Sequence, residues 1–414
     1  MNTRSVIEEQ VDPEDLKGIS KRVAAITISA IKQMPLLAAK VPDCVSLGQG
    51  IPSFPTPEFI RKAVIEALQT DDNICRYSLQ PGMIPLRQEI SRYLTAVHGA
   101  RALDPEREIF VSCGGMEALA TAITTVVDRD DEVLIPSPTY ASHIEQILFA
   151  EGKPVYVPLI EEGGWRIDRE AFRGAVTERT KAILICNPSN PTGAVFSKDD
   201  IRALADIAIE HDLFIIADET YDFLTYDDVP FSSFAGVPDI ADRLIAVYSF
   251  SKMFCMTGWR VGYMMAPARI IAQTLKVHDA FAICAPTVSQ YAALAALREF
   301  KGDGTGLGDR AVADIRTALQ RRRDLCMARL RPLSNLFELE SPQGAYYLFP
   351  KYHLPGNPTS VTLALRLLYD AGVITVPGSA FGPTGEQHIR FSFGGTEEVI
   401  NEAFDRIERW AKLI

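Results

Sequence analysis

The middle of the chain alternates short apolar runs with longer segments of helical periodicity. Near-continuous apolar runs, such as Ala-Ile-Leu-Ile-Cys at 182–186 and Leu-Phe-Ile-Ile-Ala at 213–217, are typical of strands buried on both faces of a sheet. Between them Lys198–His211 has helical spacing, and Ser197 with Asp200 predicts a capping box at the start of that helix. This alternation predicts an α/β fold with a mostly parallel sheet.

The predicted elements place the loops that matter for binding. Strands are predicted at Ile109–Val111, Glu132–Ile135, Lys181–Cys186, Leu213–Ala217, Leu244–Tyr248 and Val261–Met265. Helices are predicted at Met116–Val127, Ala141–Glu151 and Lys198–His211. In open α/β sheets, ligands bind beyond the carboxyl ends of the strands. The segments that follow the first five strands are rich in glycine and polar residues, which is the first indication of a site.

The C-terminal part of the chain changes character from about Asp309. A long helical pattern at Ala311–Leu330 is followed by strand patterns at Ala345–Phe349 and His388–Ser392, which predict a smaller α+β domain. We predict that residues 1–56 form an N-terminal arm and part of the small domain, that 57–302 form a large domain, and that 303–414 form the C-terminal part of the small domain. The glycine-rich stretch Gly302–Gly308 follows a helix and lacks the spacing of a dinucleotide loop, so we interpret it as a connector.

Charge and composition exclude several classes of protein. The 414 residues carry a net charge of -11, which disfavours nucleic acid or an anionic membrane as the main partner. No apolar run is long enough to span a bilayer, and the first sixteen residues lack the apolar core of a signal peptide. The seven cysteines form no C-x-x-C pair, so neither a disulfide framework nor a metal site is expected. We expect a cytoplasmic protein with reduced thiols.

Several residues near the predicted strand ends are chemically suggestive, although each has an ordinary structural interpretation. Asp218 ends an apolar strand, where a carboxylate is usually satisfied by structural partners. Lys252 follows another strand, and a single lysine is normally a solvated charge. Amine chemistry requires a lysine that is desolvated or near another cation, and Arg260 could be that cation or bind a phosphate. The segment Cys186–Gly193 is either a tight turn or a loop that binds a ligand. The segment Ser112–Met116 is either a plain turn or an anion site at a helix N-terminus.

Together these segments resemble the signature of a known family. Asn190-Pro191-Thr192-Gly193, Asp218-Glu219-Thr220-Tyr221 and Ser249-Phe250-Ser251-Lys252 precede Gly258-Trp259-Arg260-Val261-Gly262. Their order, spacing and strand context resemble the class I/II aminotransferases of the aspartate-aminotransferase superfamily. The likeness extends from about Leu47 to Arg390, which is most of the chain. It implies fold type I of the pyridoxal-phosphate enzymes and pyridoxal 5'-phosphate as the cofactor.

The resemblance assigns roles around the cofactor ring. It implies that Lys252 holds the cofactor as a Schiff base and then moves the proton between the substrate α-carbon and the cofactor. Asp218 is expected to pair with the pyridine nitrogen, which keeps the ring an electron sink. Tyr221 and Asn190 are expected to hydrogen-bond the phenolic oxygen of the ring. Tyr140 is expected to stack on the ring face.

The resemblance also implies how the phosphate is held. Arg260, Ser249 and backbone groups of Gly115 and Met116 are expected to bind it at a helix N-terminus. Many relatives carry a hydroxyl or other polar side chain in this loop, which here reads Gly-Gly-Met, so backbone N–H groups must do more of the binding. Tyr77 resembles the tyrosine that reaches the phosphate of a neighbouring subunit. A homodimer is therefore expected.

The substrate is expected to bind next to this group. Arg390 would grip the α-carboxylate in a bidentate pair, with contacts from Asn190 and the backbone of Gly50. The sequence offers no clear second arginine for a distal carboxylate, and Thr124 stands where some members for acidic substrates place a polar or basic side chain. The resemblance therefore does not imply aspartate specificity. The substrate side chain is expected to meet loops and the arm around Ile28–Ile31.

The implied activity is transfer of an amino group from an L-amino acid to a 2-oxo acid by a ping-pong cycle. The same cofactor residues would serve a C–S β-lyase or a ring-forming synthase, because they prepare the reactive carbon without deciding its fate. A non-catalytic binding or regulatory protein on the same fold is a further alternative. The presence of Lys252, Asp218 and Arg390 together disfavours it.

Overall fold

The computed structural model describes residues 17–24, 26 and 29–414. The first sixteen residues, on which the prediction about a signal peptide rests, lie outside the described residues, and so does Ile28 of the arm. In the part of the chain that is described, no helix is both long and apolar enough to cross a membrane.

The described residues form fourteen strands and fourteen α-helices. The strands are β1 (Val45–Ser46), β2 (Ile109–Ser112), β3 (Glu132–Ser137), β4 (Lys153–Pro158), β5 (Thr180–Cys186), β6 (Phe214–Asp218), β7 (Leu244–Ser249), β8 (Gly262–Met265), β9 (Phe337–Glu338), β10 (Tyr347–Leu348), β11 (Lys351–Tyr352), β12 (Val373–Ile374), β13 (Val376–Pro377) and β14 (Ile389–Ser392).

The helices alternate with the strands in the first two thirds of the chain and dominate the last third. They are α1 (Lys21–Ala24), α2 (Ala30–Ala38), α3 (Glu58–Thr70), α4 (Ile84–His98), α5 (Gly115–Val126), α6 (Ala141–Phe149), α7 (Arg169–Gly174), α8 (Lys198–Glu210), α9 (Phe250–Met253), α10 (Ala268–Phe281), α11 (Thr287–Arg298), α12 (Leu307–Leu330), α13 (Ser360–Tyr369) and α14 (Glu397–Ala411). The predicted capping box at the start of α8 is present, with Ser197 and Asp200 as its two members.

A seven-stranded sheet in the order β2-β8-β7-β6-β5-β3-β4 forms the centre of the molecule. Strand β8 is antiparallel to both of its neighbours, and the other adjacent pairs are parallel. Along β5, Ile183 and Ile185 join the core on one face, while Ala182 and Leu184 join the core on the other. Burial on both faces explains the uninterrupted apolar runs and confirms the predicted α/β sheet.

One strand of this sheet escapes prediction from the sequence. Strand β4 lies at the edge, next to β3 only, and most of its side chains are partly or fully exposed. It begins near one proline and ends on another, Pro154 and Pro158, which weaken a strand signal and are tolerated at sheet edges. Strand β2, at the opposite edge, is fully buried, so it is the solvent exposure of β4 that removed the continuous apolar pattern seen in the other six strands.

A second, smaller α+β unit packs around its own core. Short strands pair there as β1 with β12, β9 with β11, and β10-β14-β13. Side chains such as Leu319, Leu363, Phe391 and Phe404 are buried between these strands and helices α12, α13 and α14. The fold class is thus the predicted one, a mostly parallel sheet flanked by helices with a smaller α+β unit, and the sheet has seven strands. The exact domain boundaries stay a prediction, and the glycine-rich connector leads from α11 into α12.

Candidate active site

The carboxyl ends of the parallel strands border a cleft of about 230 Å³. Eleven of the predicted site residues line it: Gly50, Gly115, Met116, Tyr140, Asn190, Asp218, Tyr221, Ser249, Lys252, Arg260 and Arg390. Tyr77 is the exception, because its side chain is 79% exposed and lies outside the cleft lining. The topology therefore gathers residues from strands that are far apart in the sequence, as expected for an open α/β sheet.

The antiparallel strand brings Arg260 to this edge. Because β8 runs against its neighbours, its first residue, Gly262, pairs with the last residues of β2 and β7. Arg260 precedes it in a left-handed conformation with φ 54°. Its guanidinium donates to the carbonyl of Thr257 at 3.0 Å and lies against Gly114, where a Cβ would come within 2.6 Å of Arg260 Nη2. The absence of a side chain at Gly114 thus leaves room for the arginine beside the start of α5.

Helix α5 begins at this junction with free backbone donors. Gly115 is its first residue, and the first N–H groups of a helix have no partner inside the helix. Ser249, at the end of β7, uses its Oγ to accept from the backbone N–H of Ser251 at 3.2 Å. Gly115, Ser249 and Arg260 all face the cleft, which makes this end suited to an anion.

Lys252 lies in the short helix α9, immediately after β7. Its Nζ donates to the carbonyl of Gly50 at 2.6 Å, and Tyr346 donates to the same oxygen at 2.8 Å. Burial, with the nearby cations Arg390 and Arg260, lowers the pKa of Lys252 to about 8. A lysine with this pKa has a far larger neutral fraction near neutral pH than an ordinary lysine, and the neutral amine is the nucleophile.

Asp218 ends β6 and is held by a buried histidine. His143 Nε2 lies 3.1 Å from Asp218 Oδ2, and Thr220 donates its hydroxyl to Oδ1 at 2.7 Å. The other ring nitrogen of His143 lies 3.3 Å from the hydroxyl of Thr139. These partners orient one carboxylate at the floor of the cleft, and both Asp218 and His143 are buried.

Arg390 lies on β14 and is only 1% exposed. It donates to Asn190 Oδ1 at 3.0 Å and to the carbonyl of Gly48 at 2.7 Å, and its Nε is buried without a hydrogen-bond partner. The guanidinium also lies over the ring of Tyr347, 4.4 Å from the ring centroid. The structure thus brings Asn190 and Arg390 together, as the sequence predicts for a substrate-binding pair.

Three tyrosines complete the walls of the cleft. The hydroxyls of Tyr221 and Tyr347 are 2.8 Å apart, and burial raises the pKa of Tyr221 well above its ordinary value. Tyr221 therefore stays a neutral hydroxyl that can donate a hydrogen bond. Tyr140 precedes α6, its hydroxyl lies 3.9 Å from Met116 Sδ, and burial raises its pKa as well.

The cations of the cleft have no acidic partners among the described residues. Arg390, Lys252 and Arg260 donate to carbonyl or amide oxygens, and no carboxylate of the described chain lies within 4.0 Å of them as an ion pair. Buried charges in proteins are normally paired, because unpaired burial is costly. Arg390 is buried, Lys252 is partly buried and Arg260 is exposed. The two unpaired cations that are withdrawn from solvent, with Arg260 at the mouth of the same cleft, indicate a ligand that carries anionic groups.

The expectation about Thr124 needs correction, whereas the backbone contact expected from Gly50 stays a prediction. Thr124 is exposed on α5 and does not line the cleft, where α5 instead contributes Met116 and Leu119. The carbonyl of Gly50 faces Lys252, and a carbonyl oxygen cannot hydrogen-bond a carboxylate, so any contact with substrate would need its N–H. A Cβ on Gly50 would also collide with the Tyr347 hydroxyl, so glycine is required there for packing.

Sequence reasoning missed His143 and Tyr347. The helical period gives a usable signal for His143, which follows Tyr140 by three residues and therefore projects from the same side of the chain. Tyr347 sits on a two-residue strand, β10, whose pattern is too short to indicate which way its side chain points. No described group of three or more His, Cys, Asp or Glu side chains could hold a metal ion.

Comparison with known proteins places this geometry in a family. The family model for aminotransferase class I and II matches residues 42–407. An aspartate aminotransferase of Pyrococcus abyssi is 38% identical over 95% of this chain and 98% of its own length. An aromatic-amino-acid aminotransferase of Thermococcus litoralis is 36% identical over the same shares.

Solved structures agree with the sequence matches. The aspartate aminotransferase of Thermus thermophilus with maleate superimposes with a TM-score of 0.87 at 34% identity, covering 95% of this chain and 99% of that chain. The aromatic aminotransferase of Pyrococcus horikoshii superimposes with a TM-score of 0.84 at 37% identity, covering 92% of this chain and 98% of that chain. The likeness therefore includes both the sheet and the smaller unit.

Proposed function

The chain belongs to the class I and II aminotransferases, and from that membership we propose that it binds pyridoxal 5'-phosphate on Lys252 and acts by a ping-pong cycle. In this cycle an L-amino acid gives up its amino group and a 2-oxo acid, such as 2-oxoglutarate or pyruvate, receives it. The observation that carries the proposal is the set of three unpaired cations around one carboxylate in a single cleft.

The residues of the cleft fit this cofactor. Because Gly114 and Gly115 have no side chains, the backbone N–H groups and the Arg260 guanidinium are accessible to one anionic group. A side chain at Gly114 would collide with the guanidinium. Lys252 supplies a buried amine of lowered pKa, and Asp218 supplies a buried carboxylate. When bound, pyridoxal 5'-phosphate supplies an electron sink for the charge that develops on the substrate α-carbon.

The phosphate end is proposed to lie at the start of α5. Arg260 gives a charge-assisted hydrogen bond, Ser249 gives a hydroxyl, and Gly115 with Met116 gives backbone N–H groups. The loop carries no hydroxyl of its own at these two positions, so much of its binding comes from the backbone. The same arrangement explains why Arg260 needs no acidic partner from the chain.

Tyr140, Asp218, Tyr221 and Asn190 would hold the cofactor ring. Asp218, oriented by His143 and Thr220, accepts a hydrogen bond from the protonated ring nitrogen and stabilises its positive charge. Tyr221 donates from its neutral hydroxyl to the phenolic oxygen of the ring. Asn190 can use its amide NH₂ group in the same way, because its Oδ1 already accepts from Arg390.

Arg390 is proposed to bind the substrate, and Lys252 is proposed to transfer the proton. Arg390 presents its guanidinium to the α-carboxylate, and its unpartnered Nε supplies a further donor. Lys252 would hold the cofactor through Nζ, and the same amine would take the proton from the substrate α-carbon as a general base and return it as a general acid. A pKa of about 8 places the amine close to the operating pH, as efficient proton transfer requires.

A homodimer is proposed because the site lacks one expected phosphate ligand. Tyr77 and Leu79 are 79% and 66% exposed, and Phe281 and Ile283 are 66% and 48% exposed on the segment beside them. Thr287 donates to the carbonyl of Arg76 at 2.6 Å, which ties the two segments together. Such an apolar surface is suited to a second copy of the chain, whose own site Tyr77 would complete.

Two further expectations are kept as proposals. The domain limits of 1–56, 57–302 and 303–414 are supported by separate apolar cores on the two sides of the cleft. A cytoplasmic location is supported by seven cysteines that are all free, four of them buried.

The proposed function is tested by the absorption spectrum of the purified protein with added pyridoxal 5'-phosphate, followed by amino acids and then a 2-oxo acid. We expect a visible band of lysine-bound cofactor that disappears with a donor, returns with the oxo acid, and is absent in Lys252→Ala. Lys198→Ala, an exposed lysine on α8, is the matched control and should behave as the wild type.

Two other outcomes would overturn the proposal. Release of pyruvate and ammonia from a cysteine conjugate, without a stoichiometric transfer of the amino group, would indicate a C–S β-lyase. Unchanged turnover in Lys252→Ala would mean that this lysine does not hold the cofactor.

A further inference from the structure

One wall of the cleft is left unused by the proposed chemistry. The cleft lining in the described part of the chain includes four charged side chains, Asp218, Lys252, Arg260 and Arg390, and the proposed function occupies all of them. The remaining lining includes Ile31, Ile51 and Leu119, together with the side chain of Met116, whose backbone N–H group alone is assigned to the cofactor. These side chains are apolar, and we call them the apolar wall. A substrate side chain beyond the α-carbon would meet this wall.

Ile31 comes to the wall from the N-terminal arm. It lies in the first turn of α2, and this helix packs against β12 and β13 of the smaller unit. Its side chain is half-buried and packs against the core of the large sheet. The arm therefore bridges the two units directly over the cleft.

Glu145 on α6 attaches this arm. Its Oε1 accepts from the backbone N–H of Ser29 at 3.2 Å, and its Oε2 accepts from Lys32 Nζ at 3.0 Å. The carboxylate thus lies at the positive N-terminal end of α2 as well as beside an ammonium group, and both interactions favour it. Ser29 and Lys32 flank Ile31, so the two bonds together fix the position of that side chain.

The ion pair with Glu145 neutralises Lys32, so this ammonium group is not available to a substrate in the cleft. The Lys32 side chain is 57% exposed, and its charge is balanced by Glu145, which is 16% exposed. A distal carboxylate on the substrate would therefore have no free described cation on this wall. It would lose its hydration against Ile31, Ile51 and Met116 without compensation.

We propose that Glu145 is a positioning residue that holds the arm over the site, and that Ile31 selects L-amino acids with uncharged, apolar side chains, aliphatic or aromatic. This inference rests on the proposed function, since it assigns the amino donor of that same site. Apolar donors bury their side chains against the wall, and acidic donors are rejected because their second carboxylate stays unpaired.

The test compares phenylalanine, leucine and aspartate as donors, with kcat and KM measured separately and the cofactor band recorded for each variant. For the wild type we expect kcat/KM with phenylalanine or leucine to exceed that with aspartate by about tenfold or more. Glu145→Gln should raise KM for the apolar donors about tenfold, leave kcat nearly unchanged, and keep the cofactor band. Glu170→Gln, which breaks an exposed pair with Arg173, is the matched control and should change neither constant.

Two further variants guard against a folding defect in Glu145→Gln. Lys32→Gln removes the same ion pair from its exposed side and should raise KM in the same direction. Ile31→Lys should increase the ratio of aspartate to phenylalanine activity, because it places a cation on the apolar wall. An unchanged ratio in Ile31→Lys, or an unchanged KM in Glu145→Gln and Lys32→Gln, would overturn the inference.

The outcomes separate this inference from the proposed function. If the wild type transfers amino groups best from aspartate, the apolar specificity is wrong while the aminotransferase mechanism stands. If no donor changes the cofactor band, the proposed function itself is wrong.

Discussion

Lys252 owes its chemistry to its surroundings. The side chain is removed from water, and Arg390 and Arg260 add positive potential, so its pKa falls from its usual 10.5 to about 8. A sequence pattern can place a lysine after a strand, but it cannot supply this environment, because Arg390 is 138 positions further along the chain. The lowered pKa of Lys252 is therefore a consequence of the fold, which brings these residues together.

The first prediction concerns the pH dependence of cofactor attachment. The amine must lose its proton before it can attack, so the rate at which apoprotein takes up pyridoxal 5'-phosphate should rise as the pH increases through about 8. Stopped-flow absorbance at several pH values measures this rate. Arg390→Gln removes one of the cations and should move the midpoint upward. A midpoint near the usual value of 10.5 would contradict the described environment of Lys252.

The second prediction concerns the shape of the Arg390 side chain. Arg390→Lys keeps the charge but loses the planar fork that matches a carboxylate. We expect kcat/KM for amino donors to fall about a hundredfold, which corresponds to about 3 kcal/mol, while the spectrum of the bound cofactor stays the same. Steady-state kinetics with one donor and one oxo acid measure the change. A loss of less than about threefold would argue against a bidentate contact.

Residues differ in how far the sequence predicts them. Eleven of the twelve predicted site residues line the cleft, because strand ends and glycine-rich junctions leave a local pattern. His143 has only the weak signal of its spacing from Tyr140, and the partner that gives it a role, Asp218, is 75 positions away. Glu145 looks like an ordinary surface charge in the sequence, and only the fold brings it to Ser29 and Lys32.

At the scale of elements, the junction between β2 and α5 determines the anion site. Gly114 has φ 83° and ψ 165°, a conformation that is nearly restricted to glycine. A Cβ there would also come within 2.6 Å of Arg260 Nη2. Position 114 therefore requires both a backbone conformation that glycine adopts and the absence of a Cβ next to Arg260.

The third prediction follows from this junction. Gly114→Ala should displace Arg260 or distort the turn, and we expect the dissociation constant of pyridoxal 5'-phosphate to rise about tenfold or more. Gly174→Ala is the control, because Gly174 ends α7 with nothing within 4 Å of the added Cβ. Titration of apoprotein with cofactor measures both. Equal affinities in the two variants would show that the junction is not the phosphate site.

Elements were predicted well where burial is continuous and poorly where it is not. The buried strands of the large sheet carry long apolar runs, and the capping residues of α8 mark a helix start. The smaller unit is built largely from two-residue strands, such as β9 and β11, that pair with distant segments. A two-residue strand has no period, so only tertiary contact defines it.

At the scale of the whole molecule, the account requires a second copy of the chain. The fourth prediction is complementation between two defective variants, Lys252→Ala and Tyr77→Ala. In a mixed dimer the Tyr77→Ala chain supplies Lys252 and its partner supplies Tyr77, so one complete site forms.

We expect a mixture of the two refolded variants to exceed both parents at limiting cofactor, approaching about half of the wild-type activity per mixed dimer. Sedimentation of the mixture controls for assembly. Activity that never exceeds that of the Tyr77→Ala parent would mean that Tyr77 does not act on a partner's site.

The whole account depends on the identity of one residue, the lysine that holds the cofactor. The most direct measurement is borohydride reduction of the protein loaded with pyridoxal 5'-phosphate, followed by digestion and mass mapping of the modified peptide. The account predicts a single modification at Lys252, in the peptide that follows β7, and none in Lys252→Ala. Modification at a different lysine, or equal labelling of the Lys252→Ala protein, would contradict it.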